Sequence, residues 1–207
     1  MLITFEGGEA CGKSTQAKLL ADRLQSAGHR VHILREPGGT PLGEKLRHLL
    51  KHDADGHGMA AETELLLMNA SRAELCRRVI QPALAAGEWI VCDRFFDSTV
   101  AYQGFGRGLD PHVVQAVIRA AVGNLRPSLT FWLRVPVGEA ARRLAQRQTV
   151  SDRFEAEHDA FFARVERGYS TIAAAEPNRF IPVNGEGDPG EVHQRVWSIV
   201  AARLHES

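Results

Sequence analysis

The chain has 207 residues, enough for one sizeable domain with a full core and too few for two independent ones. Apolar residues make up 44% and charged residues 24%, and Lys plus Arg equals Asp plus Glu at 25 each, so the formal net charge is zero. That balance disfavours a nucleic-acid scaffold, which carries a basic excess. No apolar stretch approaches the ~20 residues of a membrane span, and the N-terminus lacks the charged-then-apolar pattern of a secretory signal, so the expectation is a cytoplasmic protein.

In chain order, residues 2–5 read as a strand. Residues 13–27 read as a helix with Ala17, Leu20, Ala21 and Leu24 on one face, closed by Gly28. Residues 31–34 form a second strand, 41–50 a short helix and 52–58 (HDADGHG) a polar loop. Residues 60–86 carry a long helical pattern that Pro82 should bend or break. Residues 89–92 form a third strand ending at Asp93, 128–135 a fourth and 179–183 a fifth, and a last helix covers 189–204. Short strands that are apolar on both faces and separated by helices predict a parallel sheet covered on both sides. Ligands in such folds bind at the carboxyl ends of the strands, and the chemically suggestive segments all follow strands. The three cysteines, Cys11, Cys76 and Cys92, have no paired spacing and read as free thiols of a reducing compartment. The nine histidines are scattered, and His29, His32, His52 and His57 read as surface residues rather than metal ligands.

Gly7-x-x-x-x-Gly12-Lys13-Ser14 is a complete phosphate-loop motif in the right place, after a strand and before a helix. Its glycines let backbone N–H groups turn toward a phosphate, and the helix that follows adds the partial positive charge of its N-terminus. The candidate ATP site is therefore Gly7, Gly8, Glu9, Ala10, Cys11, Gly12, Lys13, Ser14 and Thr15. Lys13 suits the β- and γ-phosphates, and the Ser14 hydroxyl suits Mg²⁺. Asp93, at the end of a buried strand, reads either as a second Mg²⁺ residue acting through water or as the partner of a nearby base. A GTPase switch is disfavoured: no Asn-Lys-x-Asp occurs, and Asp53-Ala54-Asp55-Gly56 falls in a polar loop between helices. Cys11 reads as a small filler residue whose position at a helix N-terminus exposes it to oxidation.

FEGGEACGKST, REPGGTPLGEKLR (35–47), DRFFDSTVAYQGFGRG (93–108) and DRFE (152–155) follow in order. Together they resemble the bacterial thymidylate kinases, P-loop nucleoside monophosphate kinases, over nearly the whole chain. The resemblance implies a three-layer α/β fold, a five-stranded parallel sheet with helices on both faces and a short basic lid at about 141–155. It implies transfer of the γ-phosphate of ATP to the 5′-phosphate of dTMP, giving dTDP and ADP, with Mg²⁺ and commonly as a homodimer. It also implies roles for single residues. Glu9 would reach the 3′-hydroxyl of dTMP, and Arg94 would grip its 5′-phosphate through a planar fork. Ser98, Tyr102 and Gln103 would border the nucleoside, and Arg72 would bond a thymine carbonyl. Arg47 is a further candidate for the acceptor phosphate, as likely on spacing alone to be a solvated helix arginine. Relatives often carry an aromatic residue three or four positions before the thymine arginine. Here Met68 and Asn69 stand there, and methionine can still touch a ring face, with Phe95 or Phe105 as candidate replacements. The phosphate loop lacks an arginine beside Glu9, so the lid, locally basic with Arg142 as well, would supply the catalytic arginines: Arg143 and Arg147, four apart on one helix face, and Arg153. The turn at 183–190 would border adenine. The acceptor phosphate is already largely dianionic at pH 7, so no general base is needed. Two other readings remain open at this stage: a kinase for another nucleoside or nucleotide, with Glu36 as a base, and a nucleotide-binding switch.

Overall fold

Alternation along the strands decides the layers. In β1 (Leu2–Glu6), Ile3 and Phe5 pack on one face of the sheet while Leu2 packs on the other. The computed structural model describes residues 1–146, 153–154 and 157–205. β1 is followed by α1 (Lys13–Ser26), β2 (Val31–Arg35), α2 (Pro41–Lys51) and α3 (Ala61–Leu75). A π-helical turn, Cys76–Ile80, leads into α4 (Gln81–Ala85), then β3 (Trp89–Asp93), the short α5 (Phe96–Thr99) and a second π-helical segment, Val100–Gly106. The chain finishes with α6 (Pro111–Val122), β4 (Leu129–Arg134), α7 (Val137–Ala145), α8 (Asp159–Ala175), β5 (Phe180–Asn184) and α9 (Pro189–His205). The expected break near Pro82 is the π-helical turn, which sits just where a residue without an N–H interrupts the helical ladder.

All the strand pairs are parallel, in the order β2-β3-β1-β4-β5. One face is packed by α1 and α9: Ala17, Leu20, Ala21 and Leu24 meet Ile3, Phe5, Val91, Phe131 and Val196. The other face is packed by α3, the first π-helical turn, α4 and α6, with Leu65, Ile80, Ala83 and Ile118 against Leu2, Ile90 and Cys92. Phe161, Val165 and Tyr169 of α8 close over Trp132 and Phe180 at the β4–β5 end. β1 is central and wholly buried, so its carboxyl end opens where neighbouring strands also end, which is where this fold class holds ligands.

Two close approaches shape that end of the sheet. A Cβ on Gly168 would lie 2.9 Å from Ala101 Cα, so only glycine lets α8 press onto the second π-helical segment. This contact brings Tyr169 of α8 toward Arg94 and Ser98. The second is Gly7, at φ 135°, whose Cβ would meet the Leu133 carbonyl oxygen at 2.5 Å.

Candidate active site

The phosphate loop follows β1 directly. Gly12, at φ 97°, caps α1 in the left-handed region, and Ala10 also adopts positive φ, 54°. Lys13 is buried, and its ammonium donates to the carbonyls of Gly8 at 2.6 Å and Gly7 at 3.3 Å. Ser14 and Thr15 are exposed in the first turn of α1. Ser14 Oγ donates a very short hydrogen bond to Asp93 Oδ2, which joins the two residues expected at Mg²⁺. Among the described residues no cluster of three or more His, Cys, Asp or Glu side chains could hold a metal alone, so an ion here needs phosphate oxygens to complete its shell. Cys11 is buried, with Sγ 3.6 Å from Lys13 Nζ, so the exposure to oxidation expected of it does not arise. Burial pushes the Cys76 thiol up to about 12 and raises Cys92.

Arg94 joins this loop to a second pocket. It sits just past β3 at φ 71°, a left-handed conformation unusual for a long side chain and a sign of stored backbone strain. Its N–H bonds to the Phe5 carbonyl at 2.9 Å, which holds the turn. Its Nη1 donates to the Gly7 carbonyl and Ser98 Oγ, both at 3.0 Å, and Nη2 meets Glu9 Oε1 at 2.5 Å and Tyr102 at 3.2 Å. Burial alone would raise the Glu9 carboxyl, but Arg94, Lys13 and Lys51 beside it hold it down at about 2. A negative charge inside an anion-binding turn is therefore stable because it faces three cations, the nearest of them Arg94.

Glu6 was not anticipated as a site residue. It is fully buried at the end of β1 and accepts from Phe95 N (2.8 Å), Ser98 N (3.2 Å), Ser98 Oγ (2.5 Å) and Tyr169 OH (2.9 Å). Burial, with Asp97 nearby, pushes its carboxyl up, against the pull of Arg94. The only sequence signal was a carboxylate closing an otherwise apolar strand; Tyr169, inside an amphipathic helix, gave none.

The second pocket encloses about 440 Å³ including its open mouth. Of the expected acceptor residues, Glu9, Met68, Arg72, Arg94, Ser98, Tyr102 and Gln103 all line it. Arg47 is not among its lining residues; Nη1 donates to the Pro37 carbonyl at 2.9 Å, and Pro37 does line the pocket. Lys51, Glu36, Thr99 and Phe154 line it without having been expected. Phe154 and Tyr102 supply its aromatic surface beside Met68. Phe95 instead lies in the core and Phe105 lies outside the lining, so neither replaces the missing aromatic.

Arg72 is held more tightly than its motif suggests. Nε donates to Glu36 at 2.7 Å, Nη1 to Asn69 and Thr99 at 2.8 Å each, and Nη2 to the Phe95 carbonyl at 3.1 Å. Glu36 does not stand alone as a base: it is paired with Arg72 while burial pushes its carboxyl up to about 7.

The expected lid arginines divide. Arg143 donates to Glu139 at 2.6 Å and to the Gly185 carbonyl at 3.1 Å, so α7 is tied to the turn after β5. That turn packs on the phosphate loop, since a Cβ on Gly185 would lie 3.3 Å from the Cys11 carbonyl oxygen. Arg142 pairs with Glu139 in solvent. Arg147 lies outside the described residues. Arg153 lies 2.7 Å from Glu64, with Nε on the Leu50 carbonyl at 3.1 Å, beside Phe154 of the second pocket.

A complete phosphate loop that shares an arginine with an adjacent nucleoside-sized pocket, at the carboxyl end of a five-stranded parallel sheet, defines the P-loop nucleotide-kinase class. Comparison narrows this. Residues 5–196 match the family model described as thymidylate kinase. Curated relatives named thymidylate kinase include one from Synechococcus sp. strain JA-3-3Ab, 49% identical over 99% of this chain and 97% of its own, and one from Gloeobacter violaceus, 47% identical over 100% and 97%. The crystal structure of thymidylate kinase from Ehrlichia chaffeensis superposes with a TM-score of 0.78 at 33% identity, covering 97% of this chain and 98% of that one. The chain belongs to the thymidylate kinase family.

Proposed function

We propose that this protein transfers the γ-phosphate of ATP to the 5′-phosphate of dTMP, giving ADP and dTDP. The observation that carries the reading is Arg94, which bonds both to the phosphate loop at Gly7 and to the lining of the second pocket. On the donor side, the N–H groups of residues 7–15 and the N-terminus of α1 receive the ATP phosphates. Lys13 exchanges its carbonyl partners for phosphate oxygens. Ser14 and Asp93, hard oxygen donors in direct contact at an exposed mouth, fit Mg²⁺. When bound, that ion neutralises phosphate charge.

On the acceptor side, the Arg94 fork takes the 5′-phosphate of dTMP and Glu9 turns to the 3′-hydroxyl. Ser98 and Tyr102 border the sugar, Met68, Phe154, Arg72 and Gln103 border thymine, and Arg47 acts through Pro37. The acceptor arrives as a dianion, so catalysis is positioning and charge neutralisation without a general base. Segment 141–155 serves as a lid, with Arg143 of α7 and Arg147 as its donor-side arginines and Arg153 acting from the acceptor wall. The exposed Leu66 and Ala70, one turn apart on α3, support a homodimer through that helix. Three free, buried cysteines suit a reducing cytoplasm. No described helix is long and apolar enough to cross a membrane.

The test is a coupled ADP assay with ATP, Mg²⁺ and a panel of nucleosides and monophosphates. The expected result is ADP release stimulated by dTMP and abolished by EDTA. If dTMP fails to stimulate it, the reading is wrong, and slow acceptor-independent hydrolysis would point to a switch.

A further inference from the structure

We infer that Glu64, without touching substrate, fixes which end of the Gln103 carboxamide faces the pocket, so that the site reads an N–H on the base edge. Thymine and uracil present that N–H at ring position 3; cytosine presents a bare nitrogen there. The inference rests on the phosphotransfer proposed above.

Glu64 is 1% exposed on α3. Its Oε1 accepts from Gln103 Nε2 at 2.7 Å and Arg107 Nε at 3.2 Å. Its Oε2 accepts from Arg107 Nη2 at 3.0 Å and lies 2.7 Å from Arg153 Nη2. A carboxylate facing two guanidiniums can only accept hydrogen bonds. The two ends of a carboxamide are nearly isosteric, so its partners decide its orientation. With Glu64 as that partner, the NH₂ must turn inward. The remaining end, Oε1, bonds to nothing among the described residues, and Gln103 lines the pocket. A carbonyl oxygen there accepts the N3–H of thymine and opposes the lone pair of cytosine. Arg72, which also lines the pocket, carries donors only and so cannot accept the N3–H; four of its five N–H groups bond to Glu36, Asn69, Thr99 and Phe95.

Glu64→Gln keeps the shape and removes the rule. Two arginines reach Oε2, so the oxygen of the new amide is drawn there, its NH₂ faces Gln103, and Gln103 turns over. Initial rates with dTMP, dUMP and dCMP measure the result. The dTMP-to-dCMP ratio of kcat/KM should fall on the order of tenfold, with dUMP following dTMP and the KM for ATP unchanged. Gln103→Leu should lower the same ratio, and adding Glu64→Gln to it should lower the ratio no further. Glu64→Asp, still an acceptor, should keep the ratio. A uniform loss across all three monophosphates would overturn the inference and leave Glu64 a structural anchor. A wild-type enzyme inactive on dTMP would instead sink the kinase reading. Should Glu64→Gln fail to fold, side-chain amide NMR on the wild type decides. The Gln103 NH₂ protons should remain protected from exchange when dTMP binds; their exposure to exchange would overturn the inference.

Discussion

The donor loop and the acceptor pocket are neighbours built on opposite plans. The donor site is one continuous stretch, residues 7–15, whose functional groups are mostly backbone N–H and one lysine. The acceptor pocket draws side chains from the phosphate loop, the loop after β2, α2, α3, the segments after β3, and Phe154. A contiguous site tolerates exchange of side chains that only fill space. A dispersed site depends on ion pairs between distant segments, Glu9 with Arg94, Glu36 with Arg72 and Glu64 with Arg107, and losing one member leaves a buried charge behind.

Mutation can break or sharpen that contrast. The largest effect is expected from Lys13→Ala, which should lower kcat by ~10³-fold while the melting temperature stays near wild type, because the lysine's only described hydrogen bonds are local. Next is Arg94→Ala, which should weaken both halves of the molecule at once. It leaves Glu9 unpaired, so a loss of about 3–5 kcal/mol in urea unfolding should accompany the loss of activity. An unchanged unfolding curve would show that Arg94 belongs to function alone. Glu9→Gln should raise the acceptor KM about tenfold while ATP binding persists in calorimetry.

The same variant carries a pH signature. The Glu9 carboxyl is held at about 2 in the folded protein, below its ordinary value of 4.5. Its contribution is therefore present above about 4.5 and is lost as pH falls through 2. That contribution is roughly 3 kcal/mol, so wild type should lose about that much more stability than Glu9→Gln across the window in parallel acid titrations. The smallest effect belongs to Cys11→Ala, expected to cost about 1 kcal/mol in packing and to leave kcat within about twofold. A large kinetic loss there would mean that even the donor loop depends on its side chains.

The same contrast explains what the sequence disclosed. The five strands and the phosphate loop were readable because apolar period and glycine spacing are local signals. That Arg94, Arg72 and Gln103 would share one pocket was readable only through family motifs, since nothing in spacing alone ties residue 72 to residue 99. Glu6, Glu64 and Tyr169 escaped because their meaning arises across 39 to 163 residues of separation. The place of Arg153 was not legible for a related reason: a basic stripe says where charge lies along the chain, and the buried Glu64 that pairs with it lies far upstream.

Arg94 has a last consequence, for selection among ligands. At rest its fork is filled by Glu9, a carboxylate that imitates part of an incoming phosphate. A newcomer must displace an anion already in place. Dianionic monophosphates can do so, whereas an uncharged nucleoside or a halide has too little charge at the right spacing. The protein thus holds a built-in competitor in its own acceptor site. Thymidine should consequently bind far more weakly than dTMP in calorimetry, and Glu9→Gln should widen that gap, because only the monophosphate gains from the vacated fork.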